Sequence, residues 1–308
     1  MLSQKFKSDQ QTRTCFICGA LSLPLDESDY FACQSCGHQT LKDGFNSSFM
    51  VNDDLSVKGM GRETGLDKFK NKTLDEVISE QKGAFKEISL LDIGAGSGRF
   101  LYQNQRKVSS AVGLEVSPAS ITFAREKLGV DIIDSIDHIP HSLCVATAWH
   151  SFEHIPDTEL QRLLKKLSAD MPDWGKIIIS VPNASSRQHE LFGRFYPFYD
   201  VPNHLHQFTL LSLETLMEQY GFKLEKQYES RPYNVFGMVQ GLVNMWTRSH
   251  NYLYYRLKRN MGERKYLRDM THAILLLVAG PIGLVIGMAE RRDKEKQGVL
   301  TLCFTKIP

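Results

Sequence analysis

The stretch Leu90-Leu91-Asp92-Ile93-Gly94-Ala95-Gly96-Ser97-Gly98-Arg99-Phe100 decides the fold. An apolar run reads as a strand, the glycines at alternate positions as a turn, and Arg99–Arg106 as the start of a helix. Strand, glycine-rich turn and helix form the unit in which an α/β sheet holds ligands at the carboxyl ends of its strands. A nicotinamide-binding fingerprint wants glycine or alanine at position 99, where this chain has arginine. The pattern is instead Asp-x-Gly-x-Gly-x-Gly. A carboxylate at the strand end repels phosphate and suits an ammonium group, and glycines let the backbone approach a ligand closely. Glu115 lies 23 residues after Asp92, at the end of the next strand, where a carboxylate accepts ribose hydroxyls.

Outward from this stretch the same alternation continues. Strands are expected at Ser89–Ile93, Ala111–Glu115, Asp131–Asp134, Cys144–Trp149, Lys176–Val181, Phe222–Glu229 and Val299–Lys306. Helices are expected at Arg99–Arg106, Pro118–Leu128, Asp157–Met171 and Ser212–Tyr220, with Arg62–Gly83 as one or two helices leading in. This is an α/β, doubly wound Rossmann-like sheet.

These motifs resemble the class I S-adenosylmethionine-dependent methyltransferases, over about residues 85–232 and the terminal strand. The resemblance implies that Asp92, Gly94, Gly96 and Gly98 hold the methionine moiety, together with Ala95 and Ser97. It implies that Glu115, beside Val116, holds the ribose, that Asp134 and Ser135 face the adenine, and that Trp149 borders the cofactor. The segment Trp149-His150-Ser151-Phe152-Glu153-His154-Ile155-Pro156-Asp157 is similar to "H-x-L-E-H-V-P-D", and His204-Leu205-His206-Gln207-Phe208-Thr209 to "H-L-H-x-F-T", both of the small-molecule branch. The chain departs from the family early in its fourth strand, where Ser142 or Cys144 replaces an aspartate. Methylation of exocyclic amines in nucleic acid uses a "D/N-P-P-Y" segment that this chain lacks, and no cysteine sits where a pyrimidine C5 nucleophile would. Candidate bases are His150, His154, His204 and His206, with His204 first and His154 second.

Six cysteines are present, four of them in Cys15-Phe-Ile-Cys18-Gly19 and Cys33-Gln-Ser-Cys36-Gly37, with 14 residues between the pairs. This spacing reads as a structural zinc site, because four thiolates leave no coordination position for water. Cys144 and Cys303 sit in apolar runs and read as small buried hydrophobes. Met1–Gln11 is polar and has no signal-peptide character, so a cytosolic, reducing setting is expected. The expected organisation is a ribbon at 12–40 and a linker with leading helices at 41–83. The methyltransferase domain takes 84–232 and 298–308, and an insertion takes 233–297. The ribbon reads as a separate module whose loss would spare the cofactor site.

The net charge of +2 excludes a strongly basic surface, but Tyr233–Gln297 carries eleven Lys/Arg against five Asp/Glu. Arg248, Arg256, Lys258, Arg259, Arg264, Lys265 and Arg268 interleave with Tyr252, Tyr254 and Tyr255. Met270–Ala289 then runs 20 residues without a charge. That length can cross a bilayer, but the last strand must return to the sheet, and Gly280-Pro281 predicts a break. Two short helices dipping into one leaflet of an anionic membrane fit better, with burial against another subunit or the domain itself as the alternative. The expected function is therefore methyl transfer to a small, lipid-linked or amphipathic acceptor, such as a glycan precursor or quinone-like phenol, on the inner face of a membrane. A non-catalytic binding protein and an RNA methyltransferase are the other readings.

Overall fold

The computed structural model describes residues 12–25, 28–42, 63–83, 85–252, 266–290 and 293–308. The linker reading for 43–61 and the basic residues at 256–265 lie outside these. At the N-terminus, β1 (Arg13–Thr14), β2 (Leu21–Pro24), β3 (Tyr30–Cys33) and β4 (Gln39–Leu41) form an antiparallel meander. Helix α1 (Gly65–Gln81) follows, started by a capping box in which Thr64 and Asp67 satisfy each other's backbone amides.

The alternating region begins with β5 (Ser89–Ile93), α2 (Arg99–Asn104), β6 (Ser110–Leu114), α3 (Pro118–Phe123), β7 (Ile132–Ile133) and β8 (Val145–Trp149). It continues with α4 (Asp157–Asp170), β9 (Lys176–Pro182), α5 (Arg187–Phe192), β10 (His206–Gln207), α6 (Leu210–Glu218) and β11 (Phe222–Tyr228). Helices α7 (Arg231–Thr247) and α8 (Tyr266–Ala289) precede the final strand β12 (Val299–Lys306). The main sheet has the order β7-β6-β5-β8-β9-β12-β11, with the first five strands parallel and β12 antiparallel to both neighbours. Every residue of β8 and β9 is buried, so neither strand shows the alternation of a half-exposed one. This is a doubly wound α/β sheet carrying an N-terminal four-cysteine ribbon and a helical insertion before the last strand.

Two features differ from the sequence reading. First, the ribbon is not a free-standing module. Strand β4 pairs with β10 of the main domain, His206 opposite Thr40 and Gln207 opposite Gln39, giving a five-stranded sheet. Cys15, Ile17, Cys33 and Cys36 belong to the same buried cluster as Leu213, Leu216 and Phe208. Thr209 donates to the Cys36 carbonyl at 2.7 Å and Tyr30 to the His204 carbonyl at 2.8 Å. A unit of some thirty residues has too little interior of its own and takes the domain's.

Second, α8 does not break at Gly280-Pro281; it is one helix of 24 residues with Pro281 inside it. Packing compensates the lost backbone bond. A Cβ at Gly283 would stand 2.4 Å from Val239 Cγ2, and one at Gly287 2.8 Å from Val235 Cα, so bare backbone lets α8 lie directly on α7. α7 is itself fixed to the domain, with Gly241 under the Phe192 ring and Gly237 under Gln188 and Phe198.

Candidate functional site

The loop after β5 has left-handed backbone at Gly94, Gly96 and Gly98, with φ of +71°, +55° and +75°. Space as well as conformation requires glycine at the ends: a Cβ at Gly94 would meet Ser151 Cβ at 2.5 Å, and one at Gly98 would meet Val130 at 2.7 Å. Glu115 ties this loop to β6. Its Oε2 accepts the Gly96 amide at 2.7 Å, and its Oε1 accepts those of Val116 and Ser117 at 2.8 Å each. With three amides accepted, Oε2 keeps one lone pair and Oε1 none. Asp92 is buried beneath the loop, where the Thr147 hydroxyl donates to it at 2.6 Å. Burial pushes its pKa up to about 7 despite the Thr147 bond and the Lys70 charge.

Helix α1 closes over this edge. Asp67 pairs with Arg99 at 3.1 Å, and the Lys70 ammonium lies 5.4 Å from the centre of the Trp149 ring. On the far side, Asp134 is exposed and pairs with His138 at 3.4 Å, Ser135 caps the next turn, and the Val116 side chain is exposed.

The carboxyl end of β8 concentrates unsatisfied polar groups. Trp149 Nε1, His150 Nε2, Ser151 Oγ and Glu153 Oε2 are all buried without a hydrogen-bond partner among the described residues. Four such atoms in five residues, packed on the glycine loop, have the chemistry of a ligand-facing wall. His150 has φ of +54°, and its ring sits 4.6 Å from Tyr233 of α7 and 6.0 Å from Phe198. Its Nδ1 is 3.2 Å from Glu153 Oε1. Burial opposes the charge on Glu153, but His150, His154 and His204 together outweigh it and hold the carboxyl at about 2. His204 is pushed down to about 4 by burial and by His154, whose ring is 4.6 Å away.

The structure thus brings His154 and His204 together with Glu153 and His150. His206 is elsewhere: it is fully buried under the ribbon against Phe16 and His38, with Nε2 2.9 Å from the Ile155 carbonyl. Lys70, Thr147, Tyr233 and the Arg99–Asp67 pair were not legible in the sequence. Only the position of Lys70 and Asp67 on a capped helix could have hinted at them.

In the ribbon, left-handed Gly19 and Gly37 turn each cysteine pair, with the Gly19 amide on the Cys15 carbonyl and the Gly37 amide on that of Cys33. The Cys15 and Cys36 sulfurs are 3.8 Å apart, those of Cys18 and Cys33 3.4 Å, and all four lie within 4.8 Å of one another. Tetrahedral zinc with bonds of about 2.3 Å sets its sulfurs about 3.8 Å apart, so the donor set fits that ion. No disulfide forms among the described cysteines. Cys144 is buried just before β8 and Cys303 within β12.

A cleft of 610 Å³ lies at the opposite, amino edge of β5 and β6, lined by Ser89, Gln105, Ser110, Asp131 and His141. It holds none of the residues described above, and α/β sheets bind ligands at the other edge.

The chain matches the methyltransferase-domain family over residues 66–227. No curated protein sequence matches it. Among solved structures it is similar to the cyclopropane synthase MmaA2 from Mycobacterium tuberculosis, with 12% identity, a TM-score of 0.52, and 83% of this chain and 95% of that one covered. It is similar to the same extent to the mycolic acid cyclopropane synthase CmaA1 complexed with SAH and CTAB, again at 12% identity, TM-score 0.52 and coverage of 83% and 95%. At such identity these two share the fold. The glycine loop, the sheet order and the family match over more than half of the chain lead to one conclusion: this protein belongs to the methyltransferase-domain family and is an S-adenosylmethionine-dependent methyltransferase.

Proposed function

We propose that this enzyme methylates a hydroxyl of an amphipathic, lipid-linked acceptor at an anionic membrane surface on the cytoplasmic side. S-adenosylmethionine supplies the methyl group from its sulfonium. Asp92 and the Gly94–Gly98 loop, including Ala95 and Ser97, would hold its amino-acid end. Glu115, beside Val116, would accept a ribose hydroxyl through its remaining lone pair. Asp134 and Ser135 would border the adenine, and Trp149 would turn its unpartnered N–H toward the site. His204 and His154 are the groups placed to take the acceptor's proton. The four cysteines Cys15, Cys18, Cys33 and Cys36 would hold a structural zinc ion, in keeping with a reducing compartment.

The observation that carries the acceptor class is the outer face of α8. Leu267–Ala289 is long and apolar enough to cross a membrane, yet only 22% of its apolar stretch is buried. Leu267, Met270, Ile274, Leu277, Val278, Val285 and Met288 are exposed at helical spacing and form one stripe. A contiguous apolar face this long marks a surface that meets lipid or protein. Arg268 lies over the Tyr252 ring and donates to Ser249 just past α7, whose end carries Trp246 and Arg248, a mixture suited to headgroups. α8 is held along α7, which is buried on the domain, so it lies in the interface and does not span it. The same α7 carries Tyr233 against His150, and this joins the lipid-facing surface to the acceptor side of the site.

Flotation with vesicles containing anionic lipid, with S-adenosylmethionine binding measured in parallel by calorimetry, tests this reading. Co-flotation that weakens with salt is expected. Protein that binds the cofactor and stays away from vesicles, or that buries α8 in a stable dimer, refutes the membrane-bound acceptor.

A further inference from the structure

We infer that Glu153, His154 and His204 form a divalent-cation site beside the glycine loop, distinct from the four-cysteine cluster. The inference rests on the methyltransferase reading and specifies its acceptor. The ligand atoms of these three residues lie within 4.8 Å of one another, and Glu153 and His204 are buried. Each donor is already oriented by a second contact, as metal ligands are. His154 Nδ1 is 2.9 Å from the Asn203 carbonyl, which makes that nitrogen the N–H donor and leaves Nε2 with its lone pair. Glu153 Oε1 is engaged by His150 Nδ1 at 3.2 Å, while Oε2 has no partner among the described residues. His204 touches Gln207 Nε2 only at 3.5 Å through Nδ1, and its own amide is anchored on the Asp200 carbonyl at 2.8 Å. A carboxylate, two imidazoles and, among the described residues, no fourth protein donor is the composition of a catalytic site with open positions.

Position gives the site its use. Ser151, two residues before Glu153, packs on Gly94 of the cofactor loop, so the open positions adjoin the place where the methyl group arrives. An acceptor with two neighbouring oxygens, a catechol or vicinal diol, fits such a cation. A cation there lowers the pKa of the hydroxyl to be methylated. With a cation bound, His154 and His204 serve as its ligands and not as bases, so that hydroxyl releases its proton to solvent, its oxygen forms the new bond to the methyl carbon, and the electron pair of the broken carbon–sulfur bond stays on sulfur.

The test uses the full-length protein with zinc in its cysteine cluster, titrated with Co²⁺ and followed by visible absorption and calorimetry. S-adenosylmethionine affinity is measured on the same samples. One equivalent of Co²⁺ beyond the zinc is expected. Glu153→Gln and, at the half-buried position, His154→Asn should each weaken that equivalent by more than 100-fold and leave cofactor affinity within threefold. His150→Phe removes only an orienting contact and should weaken it 10- to 100-fold. A protein that binds S-adenosylmethionine but takes up no second metal ion, or binds it equally well in both ligand variants, overturns the cation site alone. Failure of the wild type to bind S-adenosylmethionine would instead overturn the reading on which the site rests.

Discussion

The ribbon and helix α8 are both additions to the same sheet, and they treat their apolar surface in opposite ways. The ribbon turns Ile17, Cys15, Cys33 and Cys36 into the domain's main core and adds β4 to β10. α8 turns one edge to α7 and leaves Leu277 and Val285 77% and 69% exposed. A buried addition contributes to the stability of what it touches. An exposed one costs solubility and persists where something else covers it. The contrast separates a part built into the domain's core from a part whose apolar face is left outside it.

The largest effect is expected where the ribbon is opened. Cys33→Ser with Cys36→Ser should release the metal, because binding free energy is folding free energy in so small a unit. Since Thr209, Phe208 and Tyr30 join ribbon to domain, the loss should spread to the cofactor edge, lowering the melting temperature by well over 5 °C and weakening S-adenosylmethionine binding. Metal analysis with calorimetry decides this. Cofactor affinity that survives the double substitution would make the ribbon as independent as its spacing first implied.

Next is the seam that holds α8. Gly283→Leu places side-chain atoms where Val239 already stands and should cost about 1–3 kcal/mol by urea unfolding. No loss would mean that α8 does not rest on α7.

Asp92 reports whether the site edge between the two additions is intact. Its pKa rises from the ordinary 3.8 to about 7 in the folded chain, so between these values the folded state binds a proton that the unfolded state does not. The contribution of Asp92 to the stability of the cofactor-free enzyme should therefore be complete below about pH 4 and be lost as pH rises toward 7, by at most about 1.4 kcal/mol per unit, against the opposite slope of the buried histidines such as His204. Asp92→Asn should remove that contribution, so that stability relative to the wild type rises with pH in thermal melts across this range. An equal slope in the variant would assign it to other groups.

The smallest effect on folding is expected on the outer face of α8. Leu277→Lys with Val285→Lys should change stability by no more than about 0.5 kcal/mol, as surface substitutions do. The same pair should abolish flotation with anionic vesicles, because the apolar anchor is lost. Substituting Leu276 instead would confuse the two, since it packs toward the α7 cluster. Unfolding of the Leu277/Val285 variant would show that the stripe is core after all.

Local signals carried much of the molecule. Leu90–Phe100 announces strand, turn and helix within eleven residues, because glycines at positive φ and an apolar run are properties of the chain's own backbone and side chains. The cysteine pairs are equally local: each Cys-x-x-Cys-Gly makes its own turn, and the two are joined by two short strands. Strands Ser89–Ile93 and Val299–Lys306 run between the same residues as their apolar patterns. Proline at 281 misled for the same reason. It is a strong local signal, and the close approach of α7 to Gly283 and Gly287 overrode it.

What the chain's order of residues settled is therefore the doubly wound sheet, the glycine loop at its carboxyl edge and the grouping of the cysteines. Each depends on neighbours within a few turns of chain. Folding alone settled that β4 pairs with β10 more than 160 residues away, and that His206 is sealed under the ribbon while His204 meets Glu153 and His154. It also settled which stripe of α8 remains outside. These are facts about distant segments meeting, and their energy comes from shared burial and paired polar groups, which no short stretch of sequence contains.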